Sequence, residues 1–253
     1  MTAKFHAGPA IPVLPAGAAE TMPCWSCGDM RAEHFCHSCG KVQPPAPADY
    51  FSFFGLPRQL DLDGAALERE MLALSRRLHP DRWARASVRE QEWALEQSSL
   101  LNDAYRTLRD PVLRTEYLLR LEGIKAAQMS QQATEEARIT GSKKQAAPPE
   151  LLEEVFDLHE QLEEFRRAPA GAEPAGREGL EAARRNFEHK LDGITAEMKS
   201  CWREWDAYIA RTAAGEAAPQ PERLRLLRGL LDILNRHRYA SHLLEEIAGA
   251  LSG

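Results

Sequence analysis

Four of the chain's five cysteines fall within sixteen residues, as Cys24-Trp-Ser-Cys27 and Cys36-His-Ser-Cys39, each pair followed at once by a glycine, Gly28 and Gly40. A Cys-x-x-Cys turn aims two sulfurs at one point, and the glycine lets backbone N–H groups turn in toward them. Two such knuckles complete a tetrahedral four-thiolate site, for which one structural Zn²⁺ is the usual occupant. The segment is too small for an apolar core, so the metal is expected to fold it. A pair of disulfides or a thioredoxin-like redox pair is the alternative, although no βαβ pattern surrounds the motif. His34 and His37 lie between the knuckles and read as surface spectators beside four thiolates. Cys201, next to Trp202 on a helical stripe, reads as a core thiol.

A second constellation is His79-Pro80-Asp81, preceded by Arg76 and Arg77 and followed by Arg82. Proline restricts the backbone around it, so a loop of this kind presents an imidazole and a carboxylate in fixed positions. Residues 50–124 hold 11 Arg against 12 Asp and Glu, so a basic face made by Arg69, Arg76, Arg77 and Arg82 is local. Such a face can steer docking onto an acidic surface. The plainer account is that Pro80 stops one helix and Asp81 caps the next turn. A third feature is the run over 150–165, with seven acids and no Lys or Arg. Like charges three and four apart destabilise a helix, so the run calls for a partner or for compensation, unless it is only a solvated face. Paired carboxylates around a pocket, a nucleophile elbow and a Gly-rich phosphate loop are all missing from the sequence.

The elements that must position these residues are helical. The 253 residues are 43% hydrophobic and 28% charged, with 7% aromatics, 16 Gly and 16 Pro, which suits Ala, Leu, Glu and Arg helices better than a β-sandwich. Leu67, Met71, Leu74 and Leu78 recur at helical spacing after a cap at Asp61 or Asp63, and Pro80 ends that helix. A helix over about 88–108 follows, with Ala94, Ser98, Leu101, Tyr105 and Leu108 on one face. Asp110-Pro111 then caps and opens another, which runs to about Leu121. Leu151, Leu152, Val155, Phe156, Leu158, Leu162 and Phe165 mark an amphipathic helix, Leu180 to Ile209 a long one, and Leu224 to Ile247 a third. The expected organisation is a disordered stretch at 1–22, a metal module at 23–41, and a Pro-rich spacer at 42–48. Beyond these come a four-helix domain at 49–122, a linker at 123–149 and a three-helix bundle at 150–251, with a mobile Pro/Gly turn at 168–176. The fold class is all-α. No apolar run reaches the roughly 18 residues of a membrane span, no signal or transit peptide is recognised, and the net charge of −6 gives no footprint for nucleic acid. The expectation is a bacterial cytoplasmic protein, with the mitochondrial matrix as the alternative.

Four helices with His-Pro-Asp between the second and third resemble the J-domain of DnaJ-type co-chaperones. The stretches Asp49–Pro57, Leu78–Arg82, Gln97–Pro111 and Arg114–Leu119 narrow the likeness to the HscB family, the J-type co-chaperones of iron–sulfur cluster assembly. The likeness is close over 49–122 and loose over 150–250, and the tetracysteine module is similar to the one carried by some members. The resemblance implies a non-enzymatic adaptor with two partners. His79, Pro80 and Asp81, with Arg69, Arg76, Arg77 and Arg82, would dock on an HscA/DnaK-class chaperone ATPase and bias it toward hydrolysis. Leu152, Phe156, Asp157 and Glu160, joined by Leu230 from the last helix, would bind an IscU-type iron–sulfur scaffold protein. Glu153 departs from the family by standing where an apolar contact is common. A general J protein with another client, and a thiol-based sensor or cluster carrier built on the four cysteines, are the competing readings.

Overall fold

Asp63 begins the first long helix by accepting hydrogen bonds from the Ala65 and Ala66 N–H groups at 2.9 and 3.1 Å, so the cap is Asp63 and not Asp61. In the computed structural model, described for residues 23–29, 34–46, 49–124, 152–167, 175–216 and 219–252, every regular element is an α-helix. They are α1 (Tyr50–Phe53), α2 (Gly64–Leu78), α3 (Pro80–Trp83), α4 (Val88–Arg109), α5 (Pro111–Leu121), α6 (Leu152–Arg167), α7 (Ala175–Ala213) and α8 (Gln220–Ser252). Among the described residues the one β-type pairing is an isolated bridge between Phe35 and Val42. The segment 1–22, most of the linker at 123–149 and most of the turn at 168–176 lie outside the described residues.

The chain divides into two compact units, 1–114 and 115–253, and the division falls inside α5. In the first unit α2 and α4 pack together, burying Leu74 and Leu78 against Leu101 and Ala104. Phe53 of α1 joins them, as do Phe35 and Val42 from the cysteine segment. The buried face of α4 is Glu90, Ala94, Gln97, Leu101, Ala104 and Leu108. It departs from the expected stripe, in which Ser98 and Tyr105 stand where Gln97 and Ala104 are buried. Val42 and Gln43, the expected start of the Pro-rich spacer, are buried in this unit. α5 opens as expected, the Asp110 carboxylate accepting from the Val112 and Leu113 N–H groups at 2.9 and 2.8 Å.

The second unit is built on α6, α7 and α8. Val155, Leu158 and Leu162 bury against Leu180, Phe187, Leu243 and Ile247. The later turns of α5 belong to this unit through polar contacts. The Trp202 indole N–H donates to the Thr115 hydroxyl at 3.0 Å, and Arg238 and Arg223 pair with Glu116 and Glu122. Cys201 is half-buried at the margin of the stripe and not in the core, with burial pushing its thiol above the usual range. None of the described helices is long and apolar enough to cross a membrane.

Candidate functional site

The His-Pro-Asp loop begins where α2 runs into a proline. A residue before proline is kept out of the helical region, and His79 sits at φ −57°, ψ 131°. Pro80 then takes the first position of α3, a single turn that periodicity over a four-residue stretch could not reveal. His79 is its N-cap, the Nδ1 atom accepting from the Asp81 N–H at 3.3 Å. The Trp83 indole N–H donates to the Arg77 carbonyl at 2.9 Å, tying the turn back to the end of α2. Ser87 caps α4 at the far end. The result is a loop whose Asp81 side chain is 91% exposed. Ser75, Arg76, His79, Asp81 and Arg82 line one shallow depression. Arg77 is diverted, its guanidinium lying 3.9 Å from the centroid of the Phe35 ring. Arg69 is exposed on α2 but sits ten residues before His79, about 15 Å along the helix, and is not brought to the depression. An exposed carboxylate flanked by arginines can pair with a basic group on another protein, whereas a surface this open cannot exclude water from a reaction.

The two cysteine knuckles fold by one pattern. The Gly28 N–H donates to the Cys24 carbonyl and the Gly40 N–H to the Cys36 carbonyl, both at 2.9 Å. The Cys24 N–H then reaches the Asp29 carbonyl at 2.8 Å, and the Cys36 N–H the Lys41 carbonyl at 2.9 Å. Gly28 and Gly40 have φ of 76° and 70°, a left-handed turn that an L side chain would strain. The four sulfurs all lie within 4.8 Å of one another, with Cys24 to Cys39 at 3.7 Å and Cys27 to Cys36 at 3.5 Å, and no disulfide joins them. A tetrahedral ion with bonds of about 2.3 Å requires sulfurs about 3.8 Å apart, so the set fits a Zn²⁺-sized metal. Burial opposes ionisation of Cys24, but hydrogen bonds from the Cys27 and Ser26 backbone and from the facing thiols outweigh it and bring the thiol down to about 6. At Cys27 the Asp29 backbone favours the thiolate, yet the Cys36, Cys39 and Cys24 thiols and burial push it up to about 12. Crowded thiols resist holding several negative charges at once, and a divalent cation removes that conflict.

Neither His34 nor His37 joins the sulfur cluster. His37 is exposed. His34 is not a surface spectator, because it joins the knuckles to the helices: Nδ1 meets the Gln97 Oε1 at 2.9 Å and Nε2 the Phe53 carbonyl at 2.8 Å. The Gln97 amide donates to the Gln43 carbonyl at 2.7 Å, and the Gln43 amide to the Lys41 carbonyl at 2.8 Å. Trp25 packs edge-on against Trp93 of α4 at 5.6 Å. Sequence reasoning missed this joint. Its one visible signal was a pair of polar residues, Glu90 and Gln97, seven apart on the same α4 face as Ala94 and Leu101.

On α6 the acidic run is partly compensated from within the second unit. Lys190 of α7 pairs with Glu154 at 2.5 Å, and Arg167 with Glu163 at 2.6 Å. Phe156 is 72% exposed, with Asp157 and Glu160 exposed on the same helix, while Val155, Leu158 and Leu162 face inward. Glu160 stands one turn along from Phe156, so this exposed phenylalanine is an apolar surface with acidic residues nearby. The side chain of Leu152 lies outside the described residues. Leu230 is a correction: its side chain is fully buried in α8 and has no surface to offer a partner.

No protein-family model matches the chain. Among curated proteins it is similar to the "Co-chaperone protein HscB homolog" of Vibrio cholerae, 35% identical over 188 residues, which cover 74% of this chain and 95% of that one. The protein of the same name from Bordetella pertussis is 34% identical over 182 residues, covering 70% and 98%. The mouse "Iron-sulfur cluster co-chaperone protein HscB" is 39% identical over 115 residues, 43% of this chain and 49% of that one. Among solved structures, human co-chaperone protein HscB superposes with a TM-score of 0.60 at 25% identity, covering 89% of this chain and 96% of that one.

Proposed function

This chain belongs to the HscB family of co-chaperones, members of which are named for iron–sulfur clusters, and from that premise we propose that it binds an IscU-type scaffold, delivers it to an HscA/DnaK-class chaperone and stimulates that chaperone's ATPase. The observation that carries the reading is Asp81, a carboxylate held almost wholly in solvent on a loop fixed at both ends, between Arg76 and Arg82. In docking, the arginines steer the loop to an acidic surface and Asp81 pairs with a basic group there. Pro80 limits the loop's conformations, and His79 fixes the Asp81 backbone. The ATP chemistry belongs to the chaperone. This chain acts on it by binding one state of the chaperone better than another, so it is an activator and not a catalyst.

The scaffold is held on α6, with Phe156 as the apolar anchor and Asp157 and Glu160 as acidic neighbours. This arrangement suits a partner with a basic margin. The four thiolates of Cys24, Cys27, Cys36 and Cys39 hold one structural Zn²⁺, which supplies folding free energy to a segment without a core of its own. The setting is the bacterial cytoplasm. Steady-state ATPase of the chaperone tests the reading: the wild-type chain stimulates hydrolysis, and Asp81→Asn, which keeps the side chain's shape and removes its charge, abolishes the stimulation. Equal stimulation by both proteins would refute it.

A further inference from the structure

Within the His-Pro-Asp loop the chain is held by short-range hydrogen bonds, His79 Nδ1 accepting from the Asp81 N–H, the His79 carbonyl from the Arg82 N–H and the Trp83 carbonyl from the Ala86 N–H, and the Gln91 amide of α4 donates to the Ala84 and Ala86 carbonyls. The loop's nine residues, 79–87, bury no side chain, yet the carboxylate they carry must be presented in one place. Both ends of the loop are gripped by the second cysteine knuckle.

At the start of the loop stands Phe35, the residue before Cys36. Its ring stacks on that of Trp83 with centroids 6.1 Å apart and planes 13° from parallel, and the Arg77 guanidinium lies 3.9 Å from its centroid. Trp83 in turn donates to the Arg77 carbonyl, so Phe35, Arg77 and Trp83 form one closed set around the α3 turn. At the end of the loop stands Glu90. Its Oε2 accepts from the Ser87 N–H at 3.1 Å and from the Ser87 hydroxyl at 2.7 Å, while the Ser87 hydroxyl faces the Glu90 N–H at 3.4 Å, a capping box that fixes where α4 begins. The other oxygen, Oε1, takes the Lys41 ammonium at 2.7 Å. Lys41 follows Gly40, the residue that closes the knuckle.

The distance between the two grips is set by the knuckle itself. The Cys36 N–H donates to the Lys41 carbonyl, the Gly40 N–H to the Cys36 carbonyl, and Phe35 pairs with Val42 across the base. Phe35 and Val42 both lie in the core that contains Leu74 and Leu78 of α2, the helix that leads into the loop. We infer that this knuckle is a clamp on the His-Pro-Asp loop, in which Phe35 and Lys41 are positioning residues that pre-order Asp81 for its partner. Ordering the loop before docking removes a conformational cost that would otherwise weaken every encounter. The clamp thus gives the tetracysteine module a task in chaperone docking beyond its own folding. The inference rests on the docking role proposed for Asp81, but the ordering of the loop can be measured without a chaperone.

The test uses the full, zinc-loaded chain and three variants, Phe35→Leu, Lys41→Met and Lys41→Arg, each checked for one metal per chain. Two quantities are read: amide hydrogen exchange over 79–87, and the co-chaperone concentration that gives half-maximal ATPase stimulation. Phe35→Leu and Lys41→Met should each speed exchange in the loop about tenfold, as a local opening would. The half-maximal concentration should rise several-fold with the maximal rate retained, and Lys41→Arg should restore both readings by keeping the charge-assisted hydrogen bond. If Phe35→Leu fails to retain metal, Lys41→Met decides, since that side chain is 42% exposed and sits outside the core. Unchanged exchange and unchanged half-maximal concentration at full metal content would overturn the clamp. If even the wild type gives no stimulation, the docking proposal has failed, and exchange alone then decides whether the clamp stands.

Discussion

Phe156 and Leu158 lie two residues apart on the same helix, and their environments predict opposite consequences for the same truncation. Burying a phenylalanine side chain completely is worth about 1.5 to 3 kcal/mol. With 72% of Phe156 in solvent, roughly 1 to 2 kcal/mol of that remains to be gained when a partner covers it. Phe156→Ala should therefore weaken scaffold binding about five- to thirty-fold while leaving thermal stability within about 0.5 kcal/mol of wild type. Leu158, at 1% exposure inside the α6–α7–α8 core, should do the reverse. Leu158→Ala should cost about 2 to 5 kcal/mol of stability, and the fraction that remains folded should bind scaffold normally. Isothermal titration calorimetry with an IscU-type scaffold and denaturant melts of the free proteins separate the two. A Phe156→Ala protein that binds as tightly as wild type, or that melts as early as Leu158→Ala, would refute the assignment of this face as the contact.

Other outcomes follow from the same geometry. Leu230→Ala should behave like Leu158→Ala, losing about 2 to 5 kcal/mol in a melt with scaffold affinity per folded molecule unchanged, because the side chain never reaches the surface. The Lys41 hydrogen bond, opposed by burial and helped by Ser87, holds the Glu90 carboxyl below its ordinary value of 4.5. A depressed folded pKa contributes stability that is present above that value and lost as pH falls through the lower folded one. The stability advantage of wild type over Glu90→Gln should thus shrink as melts are taken below pH 4.5; an advantage that grew on acidification would contradict the pairing. Stripping the metal with a strong chelator should lower the melting temperature and part Trp25 from Trp93, uncovering the half-buried Trp93 and giving a red shift in tryptophan emission, and mass spectrometry of the native protein should find one Zn²⁺ per chain.

Much of the first unit was legible because its helices obey simple rules. The four, three, four spacing of Leu67, Met71, Leu74 and Leu78 gave α2, and Asp110-Pro111 gave the start of α5. Only three of those four α2 positions are fully buried, Met71 being half-buried at the margin. The phase of α4 was harder, for a physical reason. Two of its buried positions are Glu90 and Gln97, polar residues whose partners Lys41, Ser87, His34 and Gln43 lie outside the helix. A pattern drawn from apolar residues alone cannot register a polar side chain that is buried because it is paired. The same blindness hid the joint between the knuckles and the helices and left His34 as a bystander. In α8 the difficulty is the opposite one: Leu224, Leu226, Leu227, Leu230, Leu231, Ile233 and Leu234 are too densely apolar to show a phase. The structure resolves them into an exposed Leu224, a half-buried Leu231 and a fully buried Leu230. The thiol cluster needed no such phase, since two Cys-x-x-Cys-Gly turns specify their own geometry.

The proposed coupling of a scaffold to a chaperone runs through two separate surfaces of one chain. The most direct measurement is the steady-state ATPase of a purified HscA-class chaperone with this protein, with and without an IscU-type scaffold, comparing wild type, Asp81→Asn and Phe156→Ala. Wild type should give stimulation that rises further with scaffold, Asp81→Asn none under either condition, and Phe156→Ala stimulation by itself with more scaffold needed for the additional rise. Stimulation that ignores both Asp81 and scaffold would contradict the coupling.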